Sequence, residues 1–73
     1  MINTIPRRMR QMLVSRIAQE RSVSERDIIV IEVQRFPRNK WGHTGAITVC
    51  YNRAGHRATY GFDSLATVQC YAD

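Results

Sequence analysis

The sequence predicts a small single-domain α+β protein in the order α-β-β-β-α, with both helices packed on one face of a three-stranded antiparallel sheet. Helical spacing of apolar residues near the start is followed by a run of β-branched residues, which favour strands. Two further strand-like segments flank a tight-turn sequence, as in a hairpin. The length of 73 residues and the hydrophobic content of 44 % indicate one globular domain spanning residues 1–73.

The first helix is predicted over about residues 6–20, where most residues are good helix formers. Pro6 suits the first turn, because the N–H that proline lacks would have no partner there. Val14 and Arg21 fall on a basic face of this helix. The opposite face carries apolar residues at the spacing of a buried stripe, namely Met9, Met12, Leu13 and Ile17.

The segment "IIVIEVQRF" (residues 28–36) predicts the first strand, since β-branched side chains lose freedom in a helix and pack well on a sheet. Alternation along this segment predicts that Ile29, Ile31 and Val33 face the core. Pro37 ends the strand, because proline cannot donate to the ladder of hydrogen bonds.

The second and third strands are predicted at "AITVCY" (46–51) and "RATYGF" (57–62). The intervening "NRAG" supplies Asn and Gly for a tight turn. The segment "DSLATVQCYA" (63–72) predicts a short final helix, with a cap at its start and then apolar residues at helical spacing. The predicted core is Met9, Leu13, Ile17, Ile29, Ile31, Val33, Leu65 and Val68.

The charge of +5 is divided unevenly along the chain. Residues 1–19 and residues 35–57 contain only basic charges, and the mildly acidic residues 20–34 separate them. Such segregation is typical of proteins that bind a polyanion or an acidic protein surface. The alternative is that the charge serves only solubility, as in many small basic domains.

The segment "RFPRNKWGHTG" (35–45) is the main candidate site. It contains Arg35, Arg38, Lys40, His43 and the single tryptophan of the chain, and it has no acid. An aromatic ring among cations can stack on unpaired bases while the cations meet phosphates. The alternative is that Trp41 folds back over the core and the cations are merely solvated.

Other arginines form further candidate binding surfaces. Arg53 and Arg57 lie around the second turn, at the opposite end of the predicted hairpin from Trp41. The first helix could extend either basic surface with Arg7, Arg8 and Arg10.

We expect no catalytic site, metal or cofactor. His43 and His56 stand beside glycines in turn-like sequence, and no catalytic or metal-binding motif can be assembled around them. Cys50 and Cys70 lack a C-x-x-C spacing and are predicted to be reduced, inert thiols of a cytoplasmic protein. No apolar run is long enough for a membrane span or a secretory signal.

The predicted α-β-β-β-α order resembles that of double-stranded-RNA-binding domains and of the small ribonuclease toxins that share their fold. Only the order matches, since "FDSLATVQ" stands where those domains carry a lysine cluster at the start of the last helix. We therefore claim no family membership.

The predicted function is a non-enzymatic accessory protein that binds nucleic acid or a nucleoprotein complex through basic patches. One alternative is a small inhibitor or regulator, of the kind carried by phages and plasmids, that docks on an acidic protein surface. A remote alternative is a small ribonuclease toxin. A homodimer would be one way for a domain of this size to gain stability.

Overall fold

A computed structural model of the chain describes residues 4–51 and 55–73 and shows a helix packed against a four-stranded sheet. The elements are helix α1 (Arg7–Arg21), a short 3-10 turn (Glu25–Asp27), and strands β1 (Ile29–Arg35), β2 (Gly45–Cys50), β3 (Arg57–Phe62) and β4 (Val68–Ala72). The strands pair antiparallel in the order β1-β2-β3-β4. The predicted α+β class and antiparallel sheet are confirmed, whereas the order α-β-β-β-α and the count of three strands are wrong.

The final element is strand β4 and not the predicted helix. Asp63 closes a β3–β4 hairpin, because its Oδ1 accepts the N–H groups of Leu65 at 2.9 Å and Thr67 at 3.0 Å. Ala66 takes a left-handed φ of 60° that turns the chain back. A helix of two or three turns gains little by itself, whereas the strand pairs its backbone with the edge of β3.

Helix α1 begins and ends one residue later than predicted. Pro6 is the residue that precedes it, with φ −55° and ψ 143°, and no side chain caps this end by a hydrogen bond. Ser22 ends the helix in the left-handed conformation, and Val23 N–H then donates to Ala18 O at 3.0 Å. Arg21 and Val14, predicted on the basic face, are both half-buried instead.

The core lies between α1 and one face of the sheet. The helix contributes Leu13, Ile17 and Ala18, and the central strands contribute Ile47, Val49, Ala58, Tyr60 and Phe62. We call the sheet face that points away from α1 the open face. Thr48 and Thr59 lie there as direct partners, with their hydroxyl oxygens 3.0 Å apart.

The predicted core is correct in part. Leu13, Ile17 and Val33 are buried, and Met9 and Val68 are half-buried and pack against the core. Three residues predicted inside are exposed, namely Ile29, Ile31 and Leu65. Leu65 is exposed because it lies in the β3–β4 turn and not on a helix.

A β-bulge explains the exposure of Ile29 (64 %) and Ile31 (43 %). Ile31 is the extra residue, because the neighbours on either side of it pair with consecutive residues of β2. One extra residue reverses the alternation of side chains between the two faces of a strand. Ile28 and Val33 are consequently both buried, although an unbroken strand would place them on opposite faces.

No helix among residues 4–51 and 55–73 has the length and apolar character that crossing a bilayer requires.

Candidate functional site

The loop between β1 and β2 is an ordered extension of their hairpin. Phe36 N–H donates to Thr44 O at 3.0 Å, and Asn39 N–H donates to His43 O at 3.0 Å. These bonds continue the pairing of the two strands almost to the tip of the loop. The candidate segment therefore holds its side chains in a defined arrangement.

Asn39 organises the tip of this loop. Its side-chain Oδ1 accepts the backbone N–H groups of Trp41 and His43, each at 3.0 Å. Its carbonyl oxygen accepts Gly42 N–H at 3.0 Å, and Gly42 has the positive φ of 79° that glycine tolerates best. A single asparagine thus fixes the backbone on both sides of the exposed tip.

Tyr71 of β4 holds the loop from the other side. Its hydroxyl accepts Asn39 Nδ2 at 3.0 Å and is also hydrogen-bonded to His43 Nδ1. Because the asparagine amide can only donate, the tyrosine proton is available for His43. His43 is only 5 % exposed, and its Nδ1 accepts the tyrosine proton or donates to the tyrosine oxygen according to its tautomer.

Trp41, His43 and Tyr71 together form what we call the aromatic surface. The Trp41 and Tyr71 ring centroids are 5.7 Å apart at an interplanar angle of 50°, and those of His43 and Tyr71 are 5.3 Å apart. Trp41 is 56 % exposed, so it lies at the surface and does not cap the core. Lys40 Nζ lies 4.6 Å from the centroid of the Trp41 ring, within the range of a cation–π contact.

Gly61 of β3 makes room for this surface. A Cβ atom at Gly61 would overlap the Tyr71 ring and His43 Nδ1. Its neighbours Tyr60 and Phe62 both point into the core, so the overlapping groups lie on the open face. Absence of a side chain at this one position therefore lets the tyrosine and histidine rest on the sheet backbone.

The predicted basic residues of the loop are all exposed. Arg35 is the last residue of β1 and pairs with Gly45, while Arg38 and Lys40 flank Asn39 in the loop. The structure thus brings Lys40 into contact with Trp41 and places the two arginines on the same hairpin.

The second predicted patch is separate from the first. Arg57 pairs with Cys50 at the far end of the ladder from the Gly45–Phe62 pair, roughly 17 Å away at about 3.4 Å per residue. Arg53 lies outside the described residues, so its predicted place in this patch has no structural account.

The arginines at the start of α1 are exposed on the helix side of the molecule. Arg10 lines a hollow of about 190 Å³ beside Val30–Val33 of β1, together with Thr4 and Ile5. Arg8 lines a shallow groove along the outer side of the helix, and Arg7 is the first helical residue.

Sequence reasoning missed a second polar site, which we call the Arg21 cluster: Arg21, Tyr51, Tyr60, Cys70 and Asp73. The guanidinium donates through Nε to Tyr60 OH and through Nη1 to Asp73 Oδ2 at 2.8 Å. It lies 4.5 Å from the Tyr51 ring centroid and donates to Cys70 Sγ at 3.4 Å. Arg21 follows Leu13 and Ile17 at helical spacing, which is the signal that could have placed it at the edge of the core.

The cluster shifts the ionisation of its members. The hydrogen bond from Arg21, followed by that from Tyr51, holds the pKa of the Asp73 carboxyl below its usual range. Burial raises the pKa of the Tyr60 hydroxyl, partly opposed by its hydrogen bond from Arg21. Both shifts keep Asp73 ionised and Tyr60 neutral near pH 7.

Sequence reasoning also missed Tyr71 of the aromatic surface and Asn39, which supports it. Tyr71 was assigned to a helix, although "VQCYA" also permits the alternation of a strand. Asn39 was treated as part of a loop, and only its hydrogen bonds show its role.

The remaining candidate groups lie apart. His56 packs against Tyr51 with ring centroids 5.9 Å apart, and Cys50 and Cys70 are free thiols. In the part of the chain that the structure describes, no three His, Cys, Asp or Glu residues gather as a metal site would need.

Comparison with protein-family models finds no match, and no significantly similar chain was found among curated proteins or solved structures. The replacement of the last helix by β4 also removes the order on which the likeness to double-stranded-RNA-binding domains depended.

Proposed function

We propose that the protein is a non-enzymatic binder of nucleic acid, free or within a nucleoprotein complex, and that it uses the aromatic surface and the cations beside it. The observation that carries this proposal is the exposed ring of Trp41, held in place by Tyr71 on a hairpin with three exposed cations. Unpaired bases stack on such rings, and phosphates meet such cations.

The rigidity of the loop favours this role. Asn39 holds the backbone of Trp41, and Tyr71 holds Asn39 and lies against the Trp41 ring, so this arrangement exists before any ligand binds. Binding then requires little ordering of the protein, so more of the stacking energy appears as affinity.

Lys40 and Trp41 form one unit in this proposal. The ammonium lies 4.6 Å from the ring centroid, so a base that takes its place over the ring would have its phosphate within reach of Lys40. Single strands suit the site better than duplexes, because paired bases are stacked on one another and cannot reach a protein ring.

The test is a binding titration with a fluorescent single strand and with the duplex of the same sequence, at several salt concentrations. Trp41→Ala should weaken single-strand binding by about 5- to 150-fold, the usual worth of one stacked base. Arg38→Ala and Lys40→Ala should each reduce the salt slope by about one contact. Two control variants lie at the other end of the sheet: Ile29→Ala, which removes an exposed apolar side chain, and Arg26→Ala, which removes an exposed cation.

An acidic protein partner is the alternative, because exposed Trp, Tyr and Arg are also favoured at protein interfaces. Failure to bind oligonucleotides at low salt, together with capture of one acidic protein that Arg38→Ala releases, would establish this alternative. Incubation of the protein with a single-stranded RNA, followed by a denaturing gel, tests for the remote alternative of a ribonuclease. The proposal expects the RNA to stay intact.

A further inference from the structure

The carboxylate of Asp73 is held at two points by the Arg21 cluster. Arg21 Nη1 donates to its Oδ2 at 2.8 Å, and the Tyr51 hydroxyl donates to its Oδ1 at 3.0 Å. Asp73 itself follows the end of β4, and its side chain is 56 % exposed. A surface carboxylate thus occupies an arrangement of donors that would suit any oxyanion.

Arg21 has several contacts besides the one with Asp73. Its side chain is only 16 % exposed, its Nε donates to Tyr60 OH, and its guanidinium lies against the Tyr51 and Tyr60 rings. Cys70 Sγ is only a weak acceptor for Arg21 Nη2, so this nitrogen can still donate to a stronger acceptor. The arginine is therefore a fixed donor, and Asp73 is the exposed and replaceable member of the pair.

An open hollow of about 420 Å³ adjoins this pair and is lined by Tyr51, His56, Arg57 and Asp73. Its volume lies within the range of small-molecule sites. Arg57 is exposed and adds a cation to the lining, while Asp73 is the one acid among the described lining residues and joins the hollow to Arg21 through their ion pair. With the carboxylate moved aside, the hollow would present two arginines and a tyrosine hydroxyl to a ligand.

We infer that this hollow is a binding site for a phosphate monoester, such as that of a nucleotide or of a nucleic-acid 5′ end, and that Asp73 covers it in the free protein. The ligand must displace a carboxylate, so only a group that binds better than a carboxylate can open the site. A phosphate monoester has nearly two negative charges and three acceptor oxygens, enough for both arginines and Tyr51. An acetate or a phosphodiester brings one charge and gains nothing over Asp73.

This inference is independent of the proposed function. The hollow lies at the opposite end of the sheet from the loop with Trp41, since Cys50 and Arg57 pair at one end and Gly45 and Phe62 at the other. Loss of oligonucleotide binding in Trp41→Ala and loss of phosphate binding in Arg21 variants would therefore be separate results.

The experiment is an NMR titration of the 15N-labelled full chain with inorganic phosphate at pH 7.5, at constant ionic strength set with chloride. The Arg21 Nε–H signal reports the site directly. Adenosine 5′-monophosphate, dimethyl phosphate and acetate are titrated in parallel. A 5′-phosphorylated oligonucleotide and its 5′-hydroxyl form, compared in the Trp41→Ala background, separate a nucleic-acid end from a free nucleotide.

We expect phosphate and adenosine monophosphate to bind more tightly than dimethyl phosphate and acetate. Asp73→Asn, which removes the competing charge, should tighten phosphate binding about two- to fivefold, as for the loss of an exposed ion pair. Arg21→Gln should weaken it by about tenfold or more, because a charge-assisted bond is lost. Tyr51→Phe, which keeps the ring against Arg21, should weaken it to a smaller extent, and Arg26→Gln, which removes an exposed cation outside the Arg21 cluster, should leave it unchanged.

Equal binding of all four anions, or unchanged phosphate affinity in both Asp73→Asn and Arg21→Gln, would overturn the inference. Should Arg21→Gln fail to fold, Tyr51→Phe and Asp73→Asn still decide the matter, because neither removes a buried group. Tighter binding of a phosphotyrosine peptide than of adenosine monophosphate would overturn the assignment to nucleotides.

Discussion

The Trp41 and Tyr71 rings lie 5.7 Å apart, although they belong to segments at opposite edges of the sheet. Trp41 is in the loop that follows edge strand β1, and Tyr71 is in edge strand β4. They meet because the loop bends over the open face, where Gly61 of β3 carries no side chain. The candidate site therefore depends on contacts between two strands and one loop, and each contact can be tested.

Tyr71→Phe should loosen the loop without moving the ring. The change removes the hydroxyl that accepts Asn39 Nδ2 and bonds His43 Nδ1, so a buried ring nitrogen loses its partner. We expect a loss of about 1–3 kcal/mol in the free energy of unfolding. Amide exchange at Trp41 and His43 should become faster, since both N–H groups depend on the position of Asn39.

Tyr51→Phe is the matched control, because it removes the same atom at the other end of the sheet. It should leave amide exchange in the loop unchanged. Unaltered exchange at Trp41 in Tyr71→Phe would show that Asn39 holds the loop without the tyrosine.

Gly61→Ala should destabilise the protein through Tyr71. The added methyl group overlaps the tyrosine ring and His43, which should cost about 1–3 kcal/mol of unfolding free energy. In the Tyr71→Ala background the ring is gone, so the same change should cost less. Urea denaturation of the two single variants and the double variant gives the coupling energy, expected at about 0.5–3 kcal/mol.

Gly55→Ala provides the control cycle. Gly55 has a positive φ of 77°, and none of the described residues lies within 4 Å of an added Cβ, so an alanine there is strained by the backbone. Its effect should add to that of Tyr71→Ala within about 0.5 kcal/mol. Equal coupling in both cycles would contradict the packing of Tyr71 on Gly61.

Local patterns predicted part of this structure. The bounds of α1 differ from the prediction by one residue, and β2 and β3 pair antiparallel as predicted, while the turn predicted at "NRAG" lies mostly outside the described residues. Both features depend on neighbouring residues, which a sequence displays directly. The segment 65–72 fits both helical and strand spacing, and only the free edge of β3 decides between them.

The site was predictable only through its loop. Lys40 and Trp41 stand together in the sequence, so their pairing could be inferred from composition. Tyr71 and Gly61 are brought to them by the pairing of β4 with β3. The prediction could not include this pairing, because it placed Tyr71 in a helix. Arg21 was missed for a related reason, because its partner Asp73 reaches it only when β4 is a strand.

The bulge at Ile31 leads to a prediction about stability. Val33→Ala should lower the free energy of unfolding by about 2 kcal/mol, since a buried side chain leaves a cavity. Ile29→Ala removes a larger side chain, but this side chain is exposed, and the loss should stay below about 1 kcal/mol. Chemical denaturation of both variants decides the matter. An equal or greater loss for Ile29→Ala would place this residue in the core and contradict the bulge.

The ion pair between Arg21 and Asp73 predicts a pH dependence of stability. Hydrogen bonds from Arg21 and then Tyr51 lower the pKa of Asp73 in the folded protein, so the unfolded chain binds a proton more readily at this carboxyl. The ionised Asp73 carboxyl therefore stabilises the fold fully at pH values above its pKa in the unfolded chain, which is about 4. This stabilisation is lost as the pH falls through the lower pKa that Asp73 has in the folded protein. At pH values below about 4, we expect the Tm of the wild type to decrease and the Tm of Asp73→Asn to decrease less. Thermal melts followed by circular dichroism from neutral to acidic pH measure both curves, and the other carboxyls contribute equally to each. Parallel curves would show that the ion pair adds nothing to the stability of the folded state.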